Sequence, residues 1–293
     1  MLDVAIILNP GAGRGSGDEL VGRTIQLFAA AGREATVLAA GPGRTVSEQA
    51  RRAVHEGCRL AVAAGGDGTV NAVVSAVAGT DIPLGILPLG TLNHFARDLG
   101  IPLDPEQAVR LMTHGARRQV DVGEVNGAVF VNNSSLGVYP RIVALRSRWH
   151  ASGLGKWLAA LWASLTVLRR RPFMGVRIRT TEETVLRRTP FVFVGNNEYR
   201  MSGIKAASRE SLTGGRLTVY VMHAERRRSL LLLGWRVLLR GVDRVPELEL
   251  FLVEEAVIET RRRVSVALDG EVRAMAPPLT YRIRPRALTV IAP

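Results

Sequence analysis

Cysteine is almost absent from this chain of 293 residues, in which Cys58 is the only one. A single cysteine cannot form an internal disulfide, so the sequence indicates a reducing compartment, and we expect a cytoplasmic protein. Five histidines and this cysteine show none of the spacings of zinc ligands, which argues against a zinc site. Ser134 and Ser135 lack the Gly-x-Ser-x-Gly context of a hydrolase nucleophile, so a hydrolase is not indicated either.

Long apolar runs are also missing, although 47% of the residues are hydrophobic. The longest run, Trp157 to Leu168, is shorter than the roughly 20 residues of a membrane-spanning helix. The N-terminus leads directly into a predicted strand, without the basic start and cleavage site of a signal peptide. We therefore expect a protein that does not span the membrane.

Lysine is rare, with two lysines against 37 arginines, and the net charge of +13 is unevenly distributed. Residues 1–122 carry 11 basic and 12 acidic side chains, whereas residues 123–293 carry 28 basic and 14 acidic ones, a net charge of +14. A basic surface on the second half suits an anionic membrane leaflet, and a solvated arginine-rich face explains it equally well. Aromatic residues make up only 5%, without a stacking motif, so nucleic acid is not an expected partner.

Two segments of the basic half combine tryptophan, leucine and arginine in predicted helices, Gly155 to Leu168 and Leu230 to Leu239. Such helices can lie in a membrane interface, with the rings at headgroup depth and the guanidinium groups on lipid phosphates. An ordinary helix that covers a sheet is the alternative, and the sequence leaves both interpretations open.

Strand and helix patterns alternate over residues 1–122 and predict an α/β nucleotide-binding domain with a doubly wound parallel sheet. Residues 123–293 consist mostly of short strand-like runs and predict an antiparallel β-sandwich domain. A hairpin of residues 120–125 and 128–133 around Asn126-Gly127 marks the change. Further strands are predicted at 174–179, 191–194, 217–222, 248–253, 256–259, 264–268, 280–283 and 288–291.

The most informative stretch is Gly65-Gly66-Asp67-Gly68-Thr69, which follows a buried strand and begins a helix. Glycines with positive φ angles, a helix N-terminus and the Thr69 hydroxyl would together bind a phosphate. Asp67 beside a phosphate needs an intervening cation, so we interpret it as a Mg²⁺ or water-network residue. A tight turn with a capping aspartate is the simpler alternative.

Two more turns follow predicted parallel strands. Asn9-Pro10-Gly11-Ala12-Gly13 lacks the lysine of a P-loop and the glycine spacing of a Rossmann loop, but it offers a helix N-terminus to phosphates. Pro88-Leu89-Gly90-Thr91-Leu92-Asn93 follows the next strand along the chain. Ligands of doubly wound sheets bind at the carboxyl ends of the strands, which is where all three turns lie.

These three turns and Leu268-Asp269-Gly270-Glu271 resemble, in the same order, the motifs of the diacylglycerol kinase catalytic family, which includes the sphingosine and ceramide kinases. The resemblance implies transfer of the γ-phosphate of ATP, with Mg²⁺, to a hydroxyl of diacylglycerol or a similar lipid alcohol. It implies Asp67 as the metal and catalytic residue, and Asp269 or Glu271, in that order of preference, as the general base. The expected nucleotide contacts are Asn9, Gly11, Gly13, Gly65, Gly66, Asp67, Gly68, Thr69, Val70, Asn71, Gly90, Thr91 and Asn93.

Two positions depart from the family pattern. His94 stands where many members have aspartate, and histidine does not replace a carboxylate near Mg²⁺, although it can contact a phosphate. Ser211 to Leu217 resembles a segment that binds a structural metal in some members, but it contains no carboxylate. We therefore expect this second metal site to be weak or missing.

Two other functions are compatible with the sequence. An NAD kinase shares the Gly-Gly-Asp-Gly turn, and Asn196-Asn197-Glu198 resembles its Asn-Glu pair. A nucleotide or membrane-surface sensor without activity is the third interpretation, and His94 supports it. The Pro88–Asn93 and Asp269-Gly270-Glu271 motifs favour the lipid kinase, with the basic half bound peripherally to a membrane.

Overall fold

The computed structural model describes residues 2–10, 17–137, 173–200, 208–209, 211–222 and 248–293. Their contacts divide the chain into two compact units. The first comprises Met1–Val122, Ala128–Val131 and Arg284–Pro293, and the second comprises Gly123–Gly127 and Asn132–Ile283. The first unit thus includes part of the predicted hairpin and the C-terminal residues. Gly11, Gly13 and the two predicted interfacial helices lie outside the described residues.

The first unit is built on four parallel strands, β1 (Val4–Leu8), β2 (Ala35–Ala39), β3 (Leu60–Gly65) and β4 (Leu84–Pro88), in the order β2-β1-β3-β4. Every residue of β1, β3 and β4 is buried. Continuous burial is typical of parallel strands that helices cover on both faces. The predicted α/β domain with a parallel sheet is therefore confirmed.

The described residues of this unit form five helices: α1 (Gly17–Ala30), α2 (Val46–His55), α3 (Asp67–Val77), α4 (His94–Asp98) and α5 (Pro105–His114). Thr45 caps α2, because its side chain accepts a hydrogen bond from Glu48 N while the Glu48 carboxylate accepts one from Thr45 N. Asp104 caps α5, and Pro105 occupies the first helical position. None of the described helices is long and apolar enough to cross a membrane.

The C-terminal strand differs from the prediction. The prediction of separate strands at 280–283 and 288–291 is wrong, since a single strand, β18 (Leu279–Ala292), covers both ranges. Arg286 has a positive φ of 52°, and its N–H donates to Asp121 Oδ1 at 2.8 Å. The strand continues past Pro285 and Arg286, and near its end Val290 pairs with Leu84 of β4 in parallel.

The predicted hairpin forms from β5 (Ala116–Val125) and β6 (Ala128–Phe130). Asn126 and Gly127 have φ angles of 47° and 81°, the two positive values that a type I′ turn requires. The second strand ends at Phe130, three residues earlier than predicted. Asn132 therefore lies in a connection and not in a strand, and β7 (Asn133–Gly137) belongs to a different sheet.

The second unit consists mainly of antiparallel strands, which confirms the predicted class. Its six-stranded sheet contains β7 together with β10 (Phe191–Asn196), β13 (Leu217–Met222), β14 (Leu248–Val253), β16 (Val264–Leu268) and β17 (Glu271–Met275). The strand order of this sheet is β14-β13-β10-β7-β16-β17. The other strands described in this unit form an antiparallel ladder of β8 (Met174–Arg179), β9 (Thr184–Thr189) and β15 (Glu255–Thr260) and a short pair of β11 (Tyr199–Arg200) and β12 (Ser208–Arg209).

Candidate functional site

Three strand ends lie side by side at the carboxyl edge of the parallel sheet. Leu8 of β1 pairs with Ala64, and Gly65 of β3 pairs with Pro88. The N–H of Asn9 donates to Ala64 O at 3.2 Å. The strand order reverses direction between β1 and β3, and doubly wound sheets bind their ligands at such a switch point. The structure thus brings Asn9 and the turns after β3 and β4 to one edge.

The turns after β3 and β4 touch through their main chains. A Cβ added to Gly66 would lie 3.2 Å from Gly90 Cα, and Leu89 N donates to Gly65 O at 3.0 Å. The expected positive φ angles are wrong: Gly66 has a φ of −93°, and neither Gly65 nor Gly68 is among the glycines with positive φ. Glycine is required here because another main chain approaches too closely for a side chain.

Asn93 closes the turn after β4 with its own side chain. Its Nδ2 donates to Gly90 O at 2.8 Å, and its Oδ1 accepts a hydrogen bond from Gly90 N at 3.1 Å. Asn93 has a left-handed backbone (φ 50°, ψ 49°), which asparagine adopts more readily than most residues. It is buried, whereas Thr91 and His94 are exposed. Asn93 therefore shapes the turn, and its neighbours are the side chains that reach solvent.

Two polar atoms at the start of α3 are buried without a hydrogen-bond partner among the described residues, Asp67 Oδ1 and Thr69 Oγ1. The Thr69 side chain packs against Gly65, and a Cβ added to Gly65 would lie 2.2 Å from Thr69 Oγ1. The N-cap residue Gly66 has no side chain to offer, and a helix does not use the N–H groups of its own first turn. Main-chain donors and a buried carboxylate oxygen thus occur together. Val70 and Asn71 follow, both buried within α3.

This group of atoms fits a nucleotide with its cation. An ionised carboxylate only accepts hydrogen bonds, so the buried Asp67 Oδ1 requires a donor or a cation. Mg²⁺ in nucleotide sites is held by one or two carboxylates together with phosphate oxygens. Within the described ranges, no three His, Cys, Asp or Glu side chains are grouped as ligands of one ion. Asp67 is therefore suited to hold Mg²⁺ jointly with phosphates.

Asp269 lies in the second unit, in a two-residue turn between β16 and β17 across which Leu268 pairs with Glu271. Asp269 and Gly270 have φ angles of 47° and 89°, as in a type I′ turn. The acidic motif is thus a hairpin turn. Whether its carboxylates can act in catalysis depends on the groups that bind and orient them. The turn brings Asp269 back to the start of β7, where its N–H donates to Asn133 O at 2.9 Å.

The two carboxylates of this turn have different surroundings. Asp269 Oδ1 accepts hydrogen bonds from the N–H groups of Asn132 at 2.8 Å and Asn133 at 2.9 Å. The Glu271 side chain is 49% exposed and forms an ion pair with Arg273 at 3.3 Å. Asp269 is therefore fixed by the main chain, whereas Glu271 lies on the surface. Asn132 carries no functional signal in the sequence, where it falls inside a predicted strand.

Two family models match the chain. Residues 3–125 match the diacylglycerol kinase catalytic domain, and residues 143–292 match the YegS C-terminal NAD kinase beta sandwich-like domain. The chain belongs to the diacylglycerol kinase-like lipid kinase family. The resemblance predicted from the four motifs is thus confirmed, and the sandwich-like description of the second domain agrees with its antiparallel sheets.

Curated relatives agree with this family. The chain is 39% identical to a diacylglycerol kinase of Bacillus subtilis over 130 residues, which are 43% of each protein. It is 29% identical to a diacylglycerol kinase of Mycobacterium tuberculosis over 238 residues, 78% of this chain and 75% of that protein. The match with the Bacillus subtilis protein spans less than half of either length.

Solved structures share the fold. A diacylglycerol kinase from Bacillus anthracis superposes with a TM-score of 0.71 at 21% identity, covering 99% of this chain and 97% of the other. A second structure from that organism gives a TM-score of 0.76 at 24% identity with the same coverage. At these identities the similarity establishes a shared fold and nothing about the substrate.

Proposed function

We propose that this chain is an ATP-dependent lipid kinase that transfers the γ-phosphate of ATP to the hydroxyl of diacylglycerol or a similar lipid alcohol. The observation that carries the proposal is the contact of Gly66 with Gly90 beside the buried Asp67 oxygen. A bare main chain, a helix N-terminus and a carboxylate that needs a cation suit a triphosphate with Mg²⁺. Membership of the lipid kinase family supports a lipid alcohol as the acceptor.

The nucleotide side of the reaction belongs to the first unit. We assign the ATP site to Asn9, to residues 65–71 and to Gly90, Thr91 and Asn93, while Gly11 and Gly13 stay predictions. Asp67 Oδ1 would hold Mg²⁺, which neutralises phosphate charge when it is bound. The N–H groups at the start of α3 would bind phosphate oxygens, and Asn93 would act by keeping Gly90 in place.

We assign the activation of the acceptor hydroxyl to Asp269. As the lipid hydroxyl oxygen forms its bond to the γ-phosphorus, the bond from that phosphorus to the bridging oxygen breaks and ADP leaves. Asp269 takes the hydroxyl proton in this step. Phosphoryl transfer depends mainly on positioning, so a carboxylate held by two N–H groups suits the task better than the exposed Glu271.

We further propose that the basic second half reaches its lipid at an anionic membrane surface. Residues 123–293 carry a net charge of +14, and basic groups near an anionic leaflet contribute roughly 1 kcal/mol each. Binding to vesicles that contain anionic lipid should therefore weaken as salt is added. Vesicles of neutral phosphatidylcholine alone should bind the protein poorly.

The test is transfer of label from γ-labelled ATP to diacylglycerol in anionic mixed micelles, with NAD as a soluble acceptor. Asp67→Asn should lower the rate about a hundredfold or more, since it removes charge stabilisation at the phosphates. Asp81→Asn is the matched control, because Asp81 is an exposed carboxylate just before β4, at the other end of the sheet. It should leave the rate unchanged.

Three outcomes distinguish the candidate functions. Labelled lipid that depends on Asp67 but not on Asp81 supports the lipid kinase. Labelled NADP would instead assign the chain to the NAD kinase reaction. ATP binding without transfer to any acceptor would favour a sensor, and His94→Asp would then test whether a lost carboxylate explains the missing activity.

A further inference from the structure

Asn132 is held through its main chain and its side chain at the junction of β6 and β7, where it is buried with 6% exposed. Its N–H donates to Asp269 Oδ1 at 2.8 Å. Its carbonyl oxygen accepts hydrogen bonds from Asn196 N and from the Tyr199 hydroxyl, both at 3.0 Å. Its side-chain Oδ1 accepts a hydrogen bond from Arg209 Nη2 at 3.1 Å. The residue that binds Asp269 is thus itself bound from several directions.

Tyr199 and Arg209 face each other in the ladder of β11 and β12. This register places Arg209 Cζ 5.5 Å from the centroid of the Tyr199 ring, within cation–π range. The ring lies edge-on to Phe193, with centroids 5.6 Å apart, and directly over Gly195, where an added Cβ would be 2.4 Å from the ring. The Tyr199 ring and the Arg209 guanidinium group therefore orient each other, and both side chains hydrogen-bond to Asn132.

We propose that Asn132, Tyr199 and Arg209 are positioning residues that fix the direction of the Asp269 carboxylate toward the acceptor hydroxyl. The inference rests on the proposed role of Asp269 as general base. A side chain at the tip of a hairpin turn can choose among staggered χ1 rotamers. The two N–H donors on Oδ1, from Asn132 and Asn133, select one orientation only if the two peptide groups that carry them are immobile. Tyr199 and Arg209 supply that immobility from a separate part of the second unit.

The consequence is a dependence of the chemical step on residues that do not touch the substrate. A displacement of about 1 Å in a reacting group can cost up to roughly a hundredfold in rate. Loss of one contact to Asn132 should loosen the Asp269 carboxylate without changing the nucleotide turns of the first unit. We therefore expect kcat to fall while KM for ATP stays constant.

The experiment uses the full chain and compares Tyr199→Phe and Arg209→Met, each alone and combined with Asp269→Asn. Each single substitution removes one hydrogen bond to Asn132 and keeps most of the side-chain volume. We expect each to lower kcat about tenfold, and Asp269→Asn to lower it about a hundredfold or more. In the Asp269→Asn background neither should lower kcat by more than about twofold, because residues that act through one group are not additive.

Two further variants separate positioning from general weakening of the fold. Asn132→Ala removes the Arg209 bond from its other end, so its loss in kcat should match that of Arg209→Met. Tyr220→Phe is the matched control, since the Tyr220 hydroxyl donates to Tyr199 O at 2.8 Å without contacting Asn132. It should keep kcat within about twofold of the parent.

The outcomes identify which inference fails. Losses that remain multiplicative in the Asp269→Asn background, or an equal loss in Tyr220→Phe, would overturn the positioning role and leave Asp269 as the base. Parental activity in Asp269→Asn would remove the proposed base and the positioning role together. A parent protein that phosphorylates no lipid would overturn the proposed function itself.

Discussion

A Cβ added to Gly90 would lie 2.5 Å from the Cα of Gly66, so these two glycines bring two main chains into direct contact. Each glycine belongs to a different turn, and the strands before the turns, β3 and β4, are parallel neighbours. Because no side chain separates them, the two turns form one continuous surface at the carboxyl edge of the sheet. The proposed nucleotide site depends on this surface.

Gly90→Ala should impair both folding and ATP binding. The new methyl group would also lie 2.7 Å from Asn93 Oδ1, so the turn after β4 must move away from Gly66. We expect the free energy of unfolding in urea to fall by about 1–3 kcal/mol. Calorimetry should show ATP binding weakened about tenfold or more, which corresponds to at least ~1.4 kcal/mol. Parental ATP affinity in this variant would contradict the proposed site.

Gly22→Ala is the matched control and carries a prediction of its own. Gly22 lies inside α1, and nothing lies within 4 Å of the Cβ position. Alanine is a better helix former than glycine, so the free energy of unfolding should rise by about 0.5–1 kcal/mol. ATP affinity should remain parental. A loss of stability would show that the helix cannot accept a side chain at this position.

Asn93 should be replaced more easily by glycine than by alanine. Both substitutions remove the two hydrogen bonds to Gly90, each worth about 1 kcal/mol. Alanine also has to adopt the left-handed backbone, which costs about 1–2 kcal/mol more and which glycine adopts freely. Urea unfolding of both variants measures the difference directly. Equal losses would mean that the backbone of residue 93 relaxes to another conformation.

The sequence predicts the local parts of this site well. Continuous apolar runs identify β3 and β4, because buried parallel strands have no polar face. Asn126-Gly127 identifies a hairpin, since few other pairs adopt two positive φ angles. In each case the signal lies within a few neighbouring residues.

Contacts between distant segments could not be predicted in the same way. Asp269 is 137 positions from Asn132, and the hydrogen bond between them depends on how strands pair in the six-stranded sheet. The prediction that position 66 needs glycine for a positive φ angle was wrong for the same reason. A φ angle is a local property, whereas the close approach of Gly90 to Gly66 depends on the packing of two separate turns.

Gly195→Ala should disturb the second unit through Tyr199. An added Cβ would lie 2.4 Å from Tyr199 Cδ2, and the ring cannot move aside easily because it also contacts Phe193. We expect a loss of about 1–3 kcal/mol in the free energy of unfolding. Near-ultraviolet circular dichroism should report a changed environment of the tyrosine. Gly175→Ala, with nothing within 4 Å of the Cβ position, is the control in β8, a strand of a different sheet, and should leave that spectrum unchanged.

The ion pair of Asp3 and Arg33 should make part of the stability depend on pH. Arg33 Nε and Nη2 donate to the two carboxylate oxygens at 3.2 and 2.8 Å, and these bonds hold the pKa of Asp3 below its ordinary value of 3.8. A carboxyl group whose pKa is lowered by folding stabilises the protein fully above its unfolded-state pKa, and this contribution disappears as the pH falls through the folded-state value. Both side chains are about three-quarters buried, so we expect Asp3→Asn to cost about 1 kcal/mol at pH 7.

The same comparison at lower pH distinguishes this ion pair from a purely structural effect of Asp3. As the pH falls below 3.8, urea unfolding curves of the parent and of Asp3→Asn should converge, because the parent then loses the charge that binds Arg33. Glu56→Gln is the control, since the Arg52–Glu56 pair has a short contact of 2.6 Å but is more exposed. It should cost less than about 0.5 kcal/mol at pH 7. A difference between the parent and Asp3→Asn that persists undiminished in acid would mean that the cost comes from packing around residue 3 and not from its charge.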